Sequence, residues 1–279
     1  MNVYVAPAEM RTAVLSARTG NRTVGFVPTM GALHAGHLSL VDAARAECDV
    51  VAASIFVNPT QFAPHEDLDA YPRPLERDLQ LLQEHGCDLV FTPSAEMMYP
   101  AGAETSIDVG AVALPWEGAE RPTHFAGVAT VVMKLFQIAP ATHAYFGHKD
   151  YQQTLVVRRM VADLNVPIEI RVCPIVRDDN GLALSSRNAY LSPDERQQAL
   201  ALSQALRLAE QAHASGQRSA AALRQIIRDH LAAAGLSPDY VAIVADGTVQ
   251  EVEHIGGPVV AALAVRVGQT RLIDNCRIG

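Results

Sequence analysis

The sequence predicts an α/β protein, with a parallel β-sheet covered by helices on both faces and a smaller C-terminal α+β domain. Between residues 23 and about 178, short apolar runs alternate with longer segments of helical period, which is the pattern of repeated strand–helix–strand units. After about residue 188, Ala-rich helical segments are followed by three further apolar runs. The length of 279 residues agrees with two unequal domains.

The strand candidates of the first part are continuous apolar runs, as expected of strands buried on both faces of a parallel sheet. They cover residues 23–27, 50–57, 88–92 and 144–146. Helices are predicted over residues 38–47, 74–85, 128–138 and 151–164. Pro74 lies in the first turn of the second helix, and Gly86 lies just after its end. Both positions support the helix bounds, because Pro favours the first helical turn and Gly favours the position after the last.

The second part begins with Ser192-Pro-Asp-Glu195, which matches a capping box at the start of a helix. Helices are predicted from there to about residue 215 and over residues 219–234. Strands are predicted over residues 240–244, 259–267 and 270–274. These elements form a separate domain, so the predicted domains are residues 1–184 and 185–279.

The charge balance excludes one broad class of function. The chain carries 22 Lys and Arg against 30 Asp and Glu, which gives a net charge of −8. Binding a nucleic-acid backbone requires clustered basic residues, so no nucleic-acid partner is expected. With 49% apolar residues the chain is too hydrophobic to be disordered. Its two lysines are Lys134 and Lys149.

The cysteines and the N-terminus bear on the compartment. Four cysteines lie far apart with no C-x-x-C pair, which predicts reduced, buried thiols rather than a zinc site or a disulfide framework. The first residues lack the basic stretch and apolar run of a secretory signal, and no uncharged segment of membrane-spanning length follows. We expect a soluble, cytoplasmic protein with no membrane partner.

The first strand leads into the motif His34-Ala-Gly-His37. A helix N-terminus has unpaired N–H groups and a partial positive charge, so it suits a phosphate. Gly31 and Gly36 would let a nucleotide approach the backbone, and the two imidazoles would lie on one side of the first helical turn. This arrangement fits charge stabilisation during attack on an α-phosphate. A pair of metal ligands is the alternative, although no third ligand stands at a zinc spacing.

Polar residues also follow three later points where strands are predicted to end, and ligands of parallel sheets bind at such ends. Gln61, after the Asn58-Pro59 turn, could bind a hydroxyl or a carboxylate, or be an ordinary loop amide. Gly147-His-Lys-Asp150 offers close backbone approach, a positive charge for phosphate and a carboxylate for ribose or a helix cap. Leu184-Ser-Ser-Arg187 offers hydroxyls and a guanidinium for pyrophosphate. Either of the last two could instead be a capping arrangement.

Five short motifs occur in a fixed order along the chain. They are Pro28-Thr-Met-Gly-Ala-Leu-His-Ala-Gly-His37, Phe56-Val-Asn-Pro-Thr-Gln-Phe62, Arg121-Pro-Thr-His-Phe-Ala-Gly-Val128, Phe146-Gly-His-Lys-Asp-Tyr-Gln-Gln153 and Leu184-Ser-Ser-Arg-Asn188. In this order they resemble the pantoate–β-alanine ligase family, the pantothenate synthetases. The similarity runs from about residue 24 to residue 275, and the ordered set is highly specific although each motif is short.

The resemblance implies a two-step reaction of the HIGH-motif nucleotidyltransferases. (R)-Pantoate and ATP would give pantoyl adenylate and pyrophosphate, and β-alanine would then displace AMP to give pantothenate. A carboxylate is already ionised at pH 7, so the first step needs alignment and charge stabilisation rather than a base. Mg²⁺ would arrive with ATP and keep several waters, so no dedicated metal site is expected. The resemblance also implies a Rossmann-like ATP- and pantoate-binding domain, a C-terminal lid domain and a homodimer.

Site residues follow from the same resemblance. Gln61 and Gln153 would hold pantoate, with Gln61 also near β-alanine, and His37 is the candidate proton donor. The catalytic residues implied around the ATP phosphates are His34, His37, Lys149 and Arg187. The residues implied for the ATP site are Met30, Gly31, Ala32, Leu33, His34, Ala35, Gly36, His37, Gly147, His148, Lys149, Asp150, Val176, Leu184, Ser185, Ser186 and Arg187.

His148 departs from the family pattern, since many members carry Glu or Gln before the lysine. If that position contacts the nucleotide, His148 adds a pH-sensitive group to the pocket; if it only shapes the strand end, little changes. Other functions stay open. They are another HIGH-motif nucleotidyltransferase, a non-catalytic nucleotide sensor and, less favoured because a basic anticodon-binding domain is lacking, a class I aminoacyl-tRNA synthetase.

Overall fold

The structure, a computed structural model, describes residues 1–63 and 66–279. These residues form two compact units. The first unit contains Met1–His148 and Gln152–Pro174, and the second contains Lys149–Tyr151 and Ile175–Gly279.

The first unit is built on a six-stranded sheet. Its strands are β1 (Asn2–Tyr4), β2 (Val24–Thr29), β3 (Val50–Ile55), β4 (Leu89–Phe91), β5 (His143–Gly147) and β6 (Glu169–Cys173). They lie side by side in the order β1-β4-β3-β2-β5-β6, and each neighbouring pair is parallel. The predicted parallel sheet is confirmed.

Helices cover both faces of this sheet, as predicted. They are α1 (Pro7–Ala17), α2 (Ala35–Glu47), α3 (Leu75–Glu84), α4 (Ala95–Met98), α5 (Glu117–Glu120), α6 (His124–Ile138) and α7 (Tyr151–Asp163). Phe26 of β2 lies in an apolar core with Met10 of α1 and Val128 of α6. The next residue, Val27, lies in a second core with Val41 of α2. Because successive side chains of a strand point to opposite faces, the two cores lie on opposite sides of the sheet.

Five of the strands and helices described in the first unit were not predicted: β1, α1, α4, α5 and β6. β1 has only three residues. β6 is an edge strand with partly exposed side chains, and Arg171 within it pairs with Glu47 and Glu169. The prediction relied on continuous apolar runs, which an edge strand does not need.

The second unit is a smaller α+β domain, as predicted. Its elements are α8 (Pro193–Ala214), α9 (Ala220–Ala233), β7 (Pro238–Ala245), β8 (Val259–Val267) and β9 (Thr270–Ile278). The three strands form an antiparallel sheet in the order β7-β8-β9. The capping box is confirmed, since Ser192 Oγ accepts from Glu195 N–H at 3.2 Å and Glu195 Oε2 accepts from Ser192 N–H at 2.8 Å.

Residues 175–184 belong to the second unit, so the predicted boundary at residues 184–185 lies inside that unit. Arg177 explains this difference. Its Nη1 and Nη2 donate to Asp274 of β9 at 2.7 and 2.9 Å, and its backbone forms an antiparallel bridge with Ala183. The contact joins residues 97 positions apart in sequence, which a local pattern cannot reveal.

The four cysteines are free. Cys48 and Cys87 are buried, as predicted, whereas Cys173 and Cys276 are only partly buried. Among the helices of residues 1–63 and 66–279, none has the length and apolar character needed to cross a membrane.

Breaking the Arg177–Asp274 ion pair should strongly destabilise the second unit. Asp274 is 3% exposed, so Arg177→Met would leave a buried carboxylate without its counter-charge. We expect a loss of about 3–5 kcal/mol in the free energy of unfolding, measured by denaturant unfolding and by hydrogen exchange of β9 amides.

A matched control lies on the same strand. Arg277 pairs with Asp246 at 2.9 Å, but its side chain is 59% exposed. Arg277→Met should cost less than about 1 kcal/mol. Equal losses in the two variants would contradict a special role for the buried pair.

Candidate active site

The carboxyl ends of β3, β2 and β5 lie next to one another at one edge of the sheet, because these strands are adjacent and parallel. The chain places β3 and β4 on one side of β2, and β5 and β6 on the other. In open parallel sheets, ligands bind in the crevice outside the carboxyl ends of the strands, at the point where the strand order reverses. The segments that leave these three strand ends carry the predicted site residues 61, 30–37 and 147–148.

A left-handed turn links β2 to α2. Gly31 has a φ of 81° and Ala32 a φ of 49°, in the region that favours glycine. A Cβ on Gly31 would lie 2.9 Å from Asp78 Oδ2 and 3.0 Å from Ile55 Cγ2. The positive φ and this packing both favour glycine here, and the approach of a nucleotide stays a prediction.

The carboxylate of Asp78 in α3 holds this turn. Ala32 N–H donates to Asp78 Oδ2 and Leu33 N–H donates to Oδ1, both at 2.8 Å. Asp78 is buried. Burial raises the pKa of this carboxyl, and the two backbone hydrogen bonds oppose that shift only in part. These two N–H groups are thus occupied by an internal anion.

His34 caps the N-terminus of α2. Its Nδ1 accepts a hydrogen bond from Gly36 N–H at 3.1 Å, and an accepting ring nitrogen carries no proton, so a neutral His34 has its proton on Nε2. The ring centroids of His34 and His37 are 4.1 Å apart, with planes inclined by 36°. The structure therefore brings the two imidazoles together on one turn, as their spacing predicted.

The side chain of Gln61 has a defined orientation in the turn after β3. Asn58 Oδ1 accepts from Thr60 N–H at 3.3 Å and from Tyr99 Oη at 2.9 Å. Asn58 Nδ2 must therefore be the donor to Gln61 Oε1 at 3.1 Å. Gln61 Nε2 then points to Met30 Sδ at 2.9 Å, beside the turn that leads to the histidines.

The junction after β5 is open. Apart from the adjoining residues of the chain, no atom of the described residues lies within 4 Å of an ideal Cβ on Gly147, so there is room beside this glycine. A 3-10 turn, His148–Asp150, follows and leads into α7. Lys149 Nζ lies 3.4 Å from Asp150 Oδ1. Gln153 lies partly buried in the first turn of α7.

The other predicted residues belong to the second unit. Asn275 Nδ2 of β9 donates to the carbonyl oxygen of Lys149 at 2.9 Å. Leu184 N–H donates to Val176 O at 3.0 Å, and a 3-10 turn, Ser186–Tyr190, follows. Ser185 caps this turn, because its Oγ accepts from the backbone N–H of Arg187 at 3.3 Å. Ser186 and Arg187 are partly buried.

Metal binding by the two histidines finds no support in the described residues. Within residues 1–63 and 66–279, no group of three or more His, Cys, Asp or Glu side chains could hold a metal ion. A zinc site needs at least three protein ligands.

Sequence reasoning missed Asp78 and gave the Arg121–Val128 motif no role. A signal for Asp78 exists: it stands at helical spacing among Leu75, Leu79 and Leu82, where a charge on an apolar face needs a partner. That partner is the turn at Ala32, which lies too far away in sequence for a local pattern to identify.

Comparison with known proteins gives one consistent family. A family model described as pantoate-beta-alanine ligase matches residues 2–277. A curated pantothenate synthetase of Roseiflexus is 56% identical over 277 residues, covering 99% of each chain.

Solved structures agree. A pantothenate synthetase from Thermus thermophilus superposes with a TM-score of 0.94 at 47% identity and covers 99% of each chain. A pantoate-beta-alanine ligase from Francisella tularensis, described as complexed with beta-gamma ATP and beta-alanine, has a TM-score of 0.83 at 35% identity. It covers 99% of this chain and 97% of its own. By sequence and by fold, the chain belongs to the pantoate–β-alanine ligase family.

Proposed function

We propose that the chain catalyses the ATP-dependent condensation of (R)-pantoate with β-alanine to pantothenate, AMP and pyrophosphate through pantoyl adenylate. The observation that carries this proposal is the family match across residues 2–277. The ATP and β-alanine named for the Francisella relative support two of the three substrates. The histidine pair at the end of the central strand supports phosphate chemistry.

In the first step, a carboxylate oxygen of pantoate bonds to the α-phosphorus of ATP, and the bond to the β-phosphate oxygen breaks. Pyrophosphate leaves with the electron pair. We assign the histidine pair to stabilising this charge. His34 would donate from Nε2, because Nδ1 is engaged by Gly36. His37, at 4.1 Å between ring centroids, would donate to the leaving pyrophosphate.

In the second step, the amine of β-alanine attacks the acyl carbon, AMP leaves with the electrons of the broken acyl–oxygen bond, and the nitrogen loses a proton. Gln61 and Gln153 would hold pantoate. The orientation of Gln61 makes Nε2 the group directed towards Met30, so its partner on the substrate would be an acceptor oxygen.

The remaining family positions receive phosphate and nucleotide roles. Lys149, Ser185, Ser186 and Arg187 would bind the phosphates, and residues 30–37, 147–150, 176 and 184 would line the ATP site. His148 would then lie beside the nucleotide. Mg²⁺ bound to ATP would neutralise part of the phosphate charge. Acidic clusters able to bind a metal are absent from the described part of the chain, so this ion would be held mainly by phosphate and water.

The domain roles and assembly are also proposals. The C-terminal domain would act as a lid over the nucleotide, and the chain would form a cytoplasmic homodimer. Family resemblance supports these points.

The direct test of the reaction is exchange of labelled pyrophosphate into ATP. With Mg²⁺ supplied and β-alanine left out, adenylation is reversible, so labelled pyrophosphate should enter ATP. We expect this exchange only when pantoate is present, because pantoate is the group that is adenylated. Adding β-alanine should release free AMP and pantothenate. Exchange without AMP release would identify another nucleotidyltransferase, and no exchange at all would reject the proposal.

His37→Ala should lower kcat about 10²–10³-fold, the usual effect of removing one transition-state donor. Steady-state AMP release measures this loss. His85→Ala is a suitable control, because His85 pairs with Asp42 on α2 and not with the site. A loss of kcat below about tenfold in His37→Ala would contradict the proposed role of His37 as a donor to the leaving pyrophosphate.

Lys149→Ala should lower the pyrophosphate exchange rate by a similar factor of about 10²–10³. A compact cation on the phosphates would act in adenylation, so the first step should carry the defect. If exchange is unchanged and only β-alanine use is weaker, the phosphate assignment of Lys149 is wrong.

A further inference from the structure

The motif Arg121–Val128 lies at the start of α6, and it contacts the turn that carries Gln61. The side chains that make or support this contact come from two distant parts of the sequence. We call them the turn clamp: Glu66, Arg121 and His124. All three are described residues of the first unit.

His124 binds the backbone of Gln61 in one tautomer. Its Nδ1 lies 2.9 Å from the carbonyl oxygen of Gln61, which can only accept, so Nδ1 carries a proton. Its Nε2 lies 3.2 Å from Arg121 Nη1, which can only donate, so Nε2 carries none. The ring is therefore neutral. In agreement, burial and the Arg121 charge lower the pKa of His124 to about 4.

Arg121 adds a second hydrogen bond to the same oxygen. Its Nη2 donates to Gln61 O at 3.2 Å, so both lone pairs of that carbonyl are used. Glu66 fixes the guanidinium, since Nε and Nη2 donate to its two carboxylate oxygens at 2.5 and 2.6 Å. Burial raises the pKa of Glu66, but the Arg121 hydrogen bonds and charge lower it further, so the net shift is downward.

Backbone packing also holds the turn against α6. A Cβ on Gly127 would lie 2.4 Å from Thr60 O and 2.8 Å from Gln61 Cα. The first turn of α6 thus touches the Gln61 turn directly. Asn58 Nδ2 also donates to Gly127 O at 3.2 Å. Together with the turn clamp, these contacts hold the Gln61 turn against the start of α6.

We propose that the turn clamp is a set of positioning residues that fixes Gln61, so that its side-chain N–H groups meet an acceptor oxygen of the acid substrate. This inference rests on the proposed substrate role of Gln61. Arg121 and His124 bind the turn and Glu66 holds Arg121, so none of the three needs to touch the substrate. Loosening them should therefore weaken pantoate binding and leave ATP binding unchanged.

Two substitutions of His124 separate positioning from general stability. An Asn side chain can place its N–H near the position of Nδ1, whereas Gln places it near Nε2. We expect His124→Gln to raise the KM for pantoate about tenfold in pyrophosphate exchange, the effect of one lost buried hydrogen bond. His124→Asn should stay within about threefold of the wild type, and the KM for ATP should change less than about twofold in both.

Glu66→Gln provides a second variant if a His124 variant does not fold. It keeps the shape of the side chain but weakens its hold on Arg121, and it should also raise the KM for pantoate selectively. Glu47→Gln is the matched control. Glu47 also accepts a hydrogen bond from an arginine, since Arg171 Nε donates to it at 2.8 Å. Glu47 lies on α2, however, and is not part of the turn clamp.

The inference is overturned if folded His124→Gln and Glu66→Gln keep the wild-type KM for pantoate, or if the KM for ATP rises by the same factor. Rescue by His124→Asn supports it, because a purely structural defect would not distinguish the two nitrogen positions. A wild-type protein without pantoate-dependent exchange would instead reject the proposed function, and the substrate role of Gln61 with it.

Discussion

The candidate site depends on the parallel pairing of β2 with β3 on one side and β5 on the other. This pairing brings the turns of His34 and Gln61 to one edge of the sheet, although they come from separate strand–helix units. Gly25 makes the packing close: a Cβ there would lie 3.0 Å from Ala44 Cβ and 3.0 Å from Tyr145 Cε2. Helix α2 can therefore lie directly on β2, which fixes its N-terminus beside the strand end.

Much of this arrangement could be predicted from the sequence, because its causes are local. Continuous apolar runs identified β2, β3, β4 and β5, and burial on both faces explains why such runs indicate a parallel sheet. The spacing of His34 and His37 placed both rings on one helical turn. Ser192 and Glu195 identified the start of α8 through reciprocal hydrogen bonds over three residues. Each of these signals lies within one element.

The rest could not be predicted, because its causes are contacts between distant segments. Arg177 and Asp274 place residues 175–184 with the second unit, and no composition change marks that position. Arg121 reaches Glu66 across 55 positions, so its motif was recognisable but had no role. Strand β6 lies at a sheet edge, where one partner strand suffices and a continuous apolar run is not required. A charge such as Asp78 on an apolar helical face shows that a partner exists without showing which.

The contact of Asp78 with the Ala32 and Leu33 amides also affects the thermodynamics of ligand binding. Consecutive amides in a left-handed turn form a nest for an anion, and here the protein fills the nest with its own carboxylate. The turn is therefore ordered by folding and does not wait for a phosphate. Fixing the backbone of a residue costs about 1–2 kcal/mol of conformational entropy. For this turn that cost belongs to folding, so any ligand that binds at the turn meets a preorganised loop and retains more of its contact energy as affinity.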